Sequence, residues 1–219
     1  MTTGGMSVLD LARLAAWLAA GVYGTIPLFW LFVHPFAGYW RRRSRSPFRV
    51  LAPLWVLLWI LAWAATAHWR LTLVYDHAWA WLFTPLLWCV SLTMYIGGLR
   101  SLTLGRIIGT NEIVERNPGD SLITTGIHAR VRHPLYFGHL CTLLGWTIGA
   151  GTAACFILLA FAIATGAIMI PMEERELRAR FGSEYDAYAR RVPALIPRPY
   201  AYRIVVFFPL NCAWRRRKR

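Results

Sequence analysis

RHPLYFGHLCTLLGWTIGAGTAACFILLAFAIATGAIMIPMEE, residues 132–174, is the stretch that decides the fold. It opens on Arg132-His133-Pro134 and closes on Glu173-Glu174, with a nearly unbroken apolar run between them. A membrane-crossing helix needs about 20 apolar residues. The run is long enough for two, divided at Gly149-Ala150-Gly151, where small residues allow a tight turn. The stretch therefore reads as a membrane hairpin with a cationic, aromatic segment at one foot and a carboxylate pair at the other. Both feet face the same side of the bilayer. A zwitterionic cofactor carrying a carboxylate, an amine and ribose hydroxyls could be held at both ends by such a site.

Composition points the same way. Of 219 residues, 57% are hydrophobic, and the mean hydropathy is +0.43. A soluble domain of this size rarely reaches that value, so the chain reads as a polytopic membrane protein with one compact membrane domain. Its 12 tryptophans fit, because Trp concentrates at bilayer interfaces. The net charge of +14 does not point to nucleic acid. The basic residues cluster beside apolar spans, at Arg41, Arg42, Arg43, Arg45 and Arg49 and again over residues 215–219, as topology-setting and headgroup-binding charges do. Cys89, Cys141, Cys155 and Cys212 form no C-x-x-C pair, so neither a disulfide framework nor a zinc site is read here. No metal is expected. Residues 1–34 lack a basic n-region and read as a retained span, not a cleaved signal.

Five spans are expected: about Leu11 to Val33, Val50 to Trp69, Ala78 to Leu99, Pro134 to Gly149, and Thr152 to Pro171. The basic loop at 40–49, the loop at 100–133 and the arginine-rich tail face the cytoplasm by the positive-inside rule. The nearly neutral loop from Arg70 to His77 and the 149–152 turn face out, so the N-terminus is outside. Residues 105–127 are the least helical, with a turn signal at Asn117-Pro118-Gly119-Asp120; they read either as an ordinary loop or as the lid or floor of a cytoplasmic site. Residues 172–191 read as one or two short amphipathic helices broken at Gly182. Val192 to Pro199 reads as extended, and 200–214 as interfacial or re-entrant. The fold class is thus all-α integral membrane, with about five transmembrane helices, a C-terminal helical hairpin and a cytoplasmic cofactor-binding tail. Residues 1–100 form three N-terminal helices on the acceptor or lipid side. Residues 101–199 form the cofactor-binding core, and 200–219 an interfacial basic tail. Arginine dominates over lysine, with Lys218 the single lysine. This composition suggests a GC-rich bacterial genome and an inner-membrane location.

The candidate chemistry sits at the hairpin's feet. Pro134 suits the first helical position, placing Arg132 and His133 at a helix N-terminus that favours anions. Arg132 adds a bidentate carboxylate donor, or else it is a snorkelling arginine at a helix end. Tyr136 and His139 share a helix face near the same foot. Gly138, Thr142, Gly145 and Gly149 form a small-residue stripe, read as close helix packing with a possible slot for a ligand. Glu173 and Glu174 lie where the last span leaves the membrane, where carboxylates are costly unless paired or useful. Glu174 could equally pair with Arg178 four residues on. Tyr185, Tyr188 and Arg191 follow on a polar segment. The six histidines fall near predicted span ends and do not face one another within the bilayer, which argues against haem.

The ordered residues resemble the isoprenylcysteine carboxyl methyltransferases and their phospholipid methyltransferase relatives. The resemblance covers about residues 100–199. It rests on Gly126-Ile127-His128-Ala129-Arg130-Val131-Arg132-His133-Pro134-Leu135-Tyr136-Phe137-Gly138, on Glu173-Glu174 with Leu177, Phe181-Gly182, Tyr185 and Tyr188, and on Val192-Pro193 with Ile196-Pro197. It implies S-adenosylmethionine bound between the last helices and the segment after them, and a lipophilic acceptor entering from the bilayer. The acceptor would be an isoprenylcysteine-like carboxylate, a lipid, or a small thiol or amine. Cofactor contacts would come from His128, Arg132, His133, Tyr136, Gly138, Glu173, Glu174 and Tyr185. The family usually carries an aromatic residue, often Tyr, where this chain has His128. The catalytic group would be Arg132, His139 and Glu174. A carboxylate acceptor needs no base, whereas a thiol or amine does, with His139 or one of the two glutamates as candidates. Two rival readings remain. One is an NADPH-dependent sterol-type reductase, which shares a related C-terminal architecture. The other is a non-enzymatic basic membrane protein binding anionic lipid or a partner.

Overall fold

The structure is a computed structural model, and it describes residues 6–42, 48–101 and 121–198. The tail at 200–219, most of the expected lid and part of the first basic loop lie outside the described residues. Among the described residues the chain is all-helical, and its one β-type contact is an isolated bridge between Leu73 and Thr152.

Helix α1 is Val8–Leu31. A capping box starts it: the Ser7 hydroxyl accepts from the Asp10 N–H, and the Asp10 carboxylate accepts from the Ser7 N–H. After the short α2, Ala37–Arg41, comes α3, Phe48–Thr66, which tightens into a 3₁₀ turn at Ala67–Trp69. A second 3₁₀ turn, Ala78–Leu82, leads into α4, Phe83–Ser101. Helix α5 is Pro134–Ala150 with Pro134 in its first turn, as the sequence led us to expect. Helix α6 is Ala153–Phe181, and α7 is Ser183–Arg191.

Among the described residues four segments are long and apolar enough to cross a membrane: Val8–Leu31, Phe48–Trp69, Ala78–Arg100 and Ala153–Phe181. The expected fourth span, α5, has 17 residues, about 25 Å at 1.5 Å per residue. The expected separation of the last span from a short amphipathic helix after Pro171 is overturned. Helix α6 runs through Pro171 to Phe181, 29 residues in all, about 43 Å. Proline removes one backbone donor, but residues 172–180 are mostly Glu, Arg, Leu, Met and Ala, strong helix formers that carry the helix on. The chain does break at Gly182, whose φ of 56° and ψ of −132° lie where only glycine sits comfortably.

Small residues set the helix packing. Ala16 and Ala20 of α1 join Leu143 and Ala150 of α5 and Cys155, Leu158, Leu159 and Ala162 of α6 in one core. A β-carbon on Gly24 would stand 3.2 Å from the Leu158 carbonyl, so glycine there brings α1 close to α6. Helix α3 is pinned to α1 by Trp17 Nε1 donating to Thr66 Oγ1 at 2.9 Å and Trp63 Nε1 donating to the Leu18 carbonyl at 3.1 Å. The Gly151 turn is not free. Val74 N–H donates to the Gly151 carbonyl and Ala153 N–H to the Thr72 carbonyl, each at 2.8 Å. This ties the 70–77 loop and the 151–152 turn together at one end of the bundle. The other end holds Arg132 and Glu174.

Candidate active site

Local backbone chemistry builds this end first. Arg132 N–H donates to the Pro193 carbonyl at 2.9 Å and His133 N–H to the Ala194 carbonyl at 3.0 Å. The segment after α7, as proline-rich as the sequence shows, is thereby laid against the start of α5. Tyr185, Tyr188 and Val192 form a small core with Leu122, Leu177 and Phe181. Tyr188 donates its hydroxyl to the His128 carbonyl at 2.7 Å. Burial pushes the Tyr188 phenol up to about 12 and Tyr185 well above the usual tyrosine range, the nearby Glu174 adding to the rise at Tyr185.

Arg132 lies within this wrapping and is fully engaged. Its Nε donates to Glu174 Oε1 at 2.9 Å, and a terminal nitrogen donates to the same oxygen. The other terminal nitrogen donates to the Ala189 and Val192 carbonyls. Glu174 is buried and is shared further, with His133 Nε2 3.3 Å from Oε1 and Arg178 3.4 Å from Oε2. The cationic foot and the second carboxylate therefore meet each other. They do not stand apart to grip two ends of one molecule.

A cavity of about 760 Å³ opens beside this locked pair. Its polar wall includes His34, His128, Arg132, His133, Tyr136, Glu173, Arg180 and Tyr185. Its apolar wall comes largely from α1 and α3, with Ile26, Phe29, Trp30, Ala52 and Trp55. Glu173, unlike Glu174, lines the cavity. Its Oε2 is buried and makes no hydrogen bond among the described residues, although two imidazole nitrogens come near it, His133 Nδ1 at 3.6 Å and His34 Nε2 at 3.7 Å. The Tyr185 hydroxyl is likewise buried without a hydrogen bond. His133 stacks on Tyr136 with ring centres 5.7 Å apart. Ser121, Leu122 and Ile123, the described end of the expected lid, are also in the wall.

One expected site residue, Gly138, is placed elsewhere, and another, His139, is engaged within its own helix. Gly138 faces α4: a β-carbon there would meet Tyr95, Met94 and the Ser91 carbonyl at 3.2–3.3 Å. Ser91 also donates to the Gly138 carbonyl at 2.8 Å. The small-residue stripe is a packing face against α4 and the 3₁₀ turn before it, where Trp88 and Trp81 fill the room that Gly145 and Gly149 leave. His139 lines the cavity, but its Nδ1 bonds the Leu135 carbonyl of its own helix, and its ring sits edge-on to Tyr23 and Tyr95.

His34 and Glu176 belong to this site and were not among the sequence candidates. Their signal was present in the spacing. Glu173 and Glu176 are three apart and share a helix face, and Trp30 and His34 are four apart across the end of α1. Among the described residues no three His, Cys, Asp or Glu side chains converge as a set of metal ligands.

Comparison with known proteins bears on the same region. Residues 80–184 match the family described as phospholipid methyltransferase. Methanethiol S-methyltransferase 2 of Bradyrhizobium diazoefficiens is 43% identical over 88 residues, 39% of this chain and 32% of that protein. Protein-S-isoprenylcysteine O-methyltransferase B of Arabidopsis thaliana is 35% identical over 123 residues, 50% of this chain and 60% of that one. The cobalt-zinc-cadmium resistance protein CzcN of Cupriavidus metallidurans is 36% identical over 133 residues, 59% of this chain and 56% of that one. The chain thus spans from 32% to 60% of the length of these relatives. Its apolar helices make it a membrane protein, and residues 80–184, a little under half of it, are similar to the phospholipid methyltransferase family.

Proposed function

We propose that the protein is a membrane methyltransferase that uses S-adenosylmethionine and a lipophilic acceptor. The observation that carries this is the buried Oε2 of Glu173, without a hydrogen bond among the described residues, in the wall of a large, mostly apolar cavity beside the Arg132–Glu174 pair. A cavity of about 760 Å³ is in the range of small-molecule sites. A buried, unbonded carboxylate oxygen is costly alone and favourable beside a cation.

The residues fit that cofactor with one revision of roles. Glu173 holds the amine, and the Tyr185 hydroxyl and His133 offer further hydrogen bonds. Tyr136 and His128 provide the flat wall for the adenosine. Arg132 and Glu174 hold the wall rigid and act through it. Bound there, S-adenosylmethionine supplies an electrophilic methyl carbon on a positively charged sulfur. The aromatic and apolar lining keeps water out and lets an acceptor be positioned for in-line attack, where positioning supplies much of the rate.

The isoprenylcysteine and methanethiol relatives support an acceptor that is itself apolar, and the wall built by α1 and α3 suits one entering from the bilayer. In this reading α5 crosses the membrane as a fifth, short helix. Residues 1–100 serve the acceptor, 101–199 the cofactor, and 200–219 lie at the interface as a basic tail. The positive-inside pattern puts the N-terminus outside and the site in the cytoplasm, in a bacterial inner membrane.

The test is calorimetric binding of S-adenosylmethionine, its demethylated product and NADPH to the detergent-purified chain. Micromolar binding of the first two, lost in Glu173→Gln but with stability kept, is expected. Binding of NADPH alone would replace the proposal with a reductase. Binding of none by folded protein would remove the enzymatic reading.

A further inference from the structure

One residue of the N-terminal half, outside the matched segment, reaches the same chemistry. His34 follows α1 and is buried in the cavity wall, its ring stacked on Trp30 at 5.3 Å. Its Nδ1 lies 3.2 Å from Glu176 Oε2, and its Nε2 lies 3.7 Å from Glu173 Oε2. His133 Nδ1 reaches that same Glu173 oxygen at 3.6 Å. One cavity-lining carboxylate is therefore shared by two imidazoles, one from each half of the chain.

We propose that His34 is a proton acceptor, oriented by Glu176 and made ready when a cation occupies Glu173, and that the methyl acceptor is accordingly a neutral protic nucleophile, a thiol or an amine. This rests on the S-adenosylmethionine reading above. Opposite charges within about 4–6 Å favour the charged form of a group, and the carboxylates of Glu173 and Glu176 both stand that close to the His34 ring. The other charged groups of the cavity wall are His133, which competes for the same oxygen, Arg132, which is tied to Glu174, and Arg180 of α6, four residues beyond Glu176. A cation arriving at Glu173 cancels one of the two carboxylates and repels the proton on Nε2. The neutral ring that remains keeps its Nδ1–H on Glu176, which leaves Nε2 as the accepting nitrogen.

The step then balances. The attacking sulfur or nitrogen gives its electron pair to the methyl carbon, and the old carbon–sulfur bond breaks with its pair left on the departing sulfur. The proton of the acceptor passes to His34 Nε2. The positive charge lost from the sulfonium reappears on the imidazole. A carboxylate acceptor would bring no proton and would have no use for this pair. His139 is a weaker base candidate, since among the described residues it has a backbone carbonyl and two aromatic rings about it but no carboxylate.

The test uses the full chain in detergent with S-adenosylmethionine as probe. Calorimetry near pH 6.5, about the ordinary histidine value, in buffers of differing ionisation enthalpy counts protons exchanged on binding. Wild type is expected to release part of a proton. His34→Gln, which still offers Glu176 an N–H but takes no proton, is expected to release much less. Equal release from both assigns the proton to His133 and overturns the proposal. In turnover, His34→Gln should slow transfer to octanethiol by on the order of 100-fold, the lower part of the general-base range. Transfer to thiophenol, already largely ionised, should barely change. Equal loss on both thiols means that His34 is only structural. If the variant does not fold, wild type decides: methylation of a prenylated N-acetylcysteine carboxylate, with none of octanethiol or octylamine, overturns the inference and leaves the cofactor reading standing. Failure to bind S-adenosylmethionine at all is the distinct failure of that reading.

Discussion

Arg132→Ala separates a strut from a ligand clamp. In the folded protein the guanidinium gives two hydrogen bonds to Glu174 and two to the Ala189 and Val192 carbonyls. Both side chains of the pair are nearly buried, 11% and 10% exposed. Removing one partner of a buried pair costs about 3–5 kcal/mol, because the other charge stays behind in a poor solvent. His133 at 3.3 Å and Arg178 at 3.4 Å still touch Glu174, which holds the loss within that range even with two carbonyls orphaned. Replacing both partners, Arg132→Met with Glu174→Met, removes the stranded charge and should recover part of it. The two carbonyls would remain unsatisfied, at about 1–3 kcal/mol each for a fully buried group. A double-mutant cycle of Arg132→Met, Glu174→Met and the two together, followed by denaturant unfolding in detergent, should therefore show a coupling of about 2 kcal/mol or more. Loss of less than about 1 kcal/mol in Arg132→Ala, the level of an exposed ion pair, would refute this if cofactor affinity fell at the same time. The guanidinium would then be serving the ligand and not the wall.

Further outcomes follow from other contacts. Gly149→Ala should cost about 1–3 kcal/mol by overpacking, since its β-carbon would stand 2.5 Å from Trp81 and 2.6 Å from Thr84 Oγ1, whereas Gly166→Ala, whose nearest neighbour is Pro27 at 3.8 Å, should be harmless in the same thermal-shift assay. Gly182→Ala should cost about 1–3 kcal/mol through backbone strain alone, for nothing lies within 4 Å of the added carbon. Tyr188 and Tyr185 hold their protons more tightly folded than unfolded, so their contribution is full below about pH 10. It falls as pH rises from there toward about 12 for Tyr188; phenolate absorbance of these two that develops near pH 10, before unfolding, would contradict their burial. Tyr188→Phe should remove the buried hydrogen bond to the His128 carbonyl and cost about 0.5–1.5 kcal/mol, read by denaturant unfolding.

Much of this was legible in the chain because membrane helices announce themselves locally. Runs of apolar residues, Pro134 at a helix start and Gly151 and Gly182 at helix ends are short-range signals, and the elements follow them. The meeting of Arg132 with Glu174 is not local. Its two partners are 42 residues apart, and a hairpin read from hydropathy places them at the same depth without saying whether they touch or face a common gap. What closes the gap is the segment after α7, whose Pro193 and Ala194 carbonyls take the Arg132 and His133 N–H groups. Proline content signals that this segment is extended but not where it docks. The run past Pro171 was hidden for the opposite reason: a strong local breaker was outweighed by the helix formers after it and by the packing of Leu177 and Phe181 beneath Tyr185 and Tyr188.

The adjacent carboxylates show how one short sequence can hold two jobs. On a helix, Glu173 and Glu174 point about 100° apart, so neighbours in sequence face different surroundings. Glu174 turns toward the wrapping segment and is neutralised there by Arg132, with Arg178 one turn on. Glu173 turns toward α1 and the cavity, in register with Glu176, and meets His34. The first direction draws on Arg132, just before α5, and on Arg178 within α6 itself. The second depends on α1 approaching α6 closely, which Gly24 against the Leu158 carbonyl permits. The charge state of the cavity is therefore set partly by packing deep in the apolar core. Bulk added at Gly24 would move His34 relative to Glu173 without touching either one.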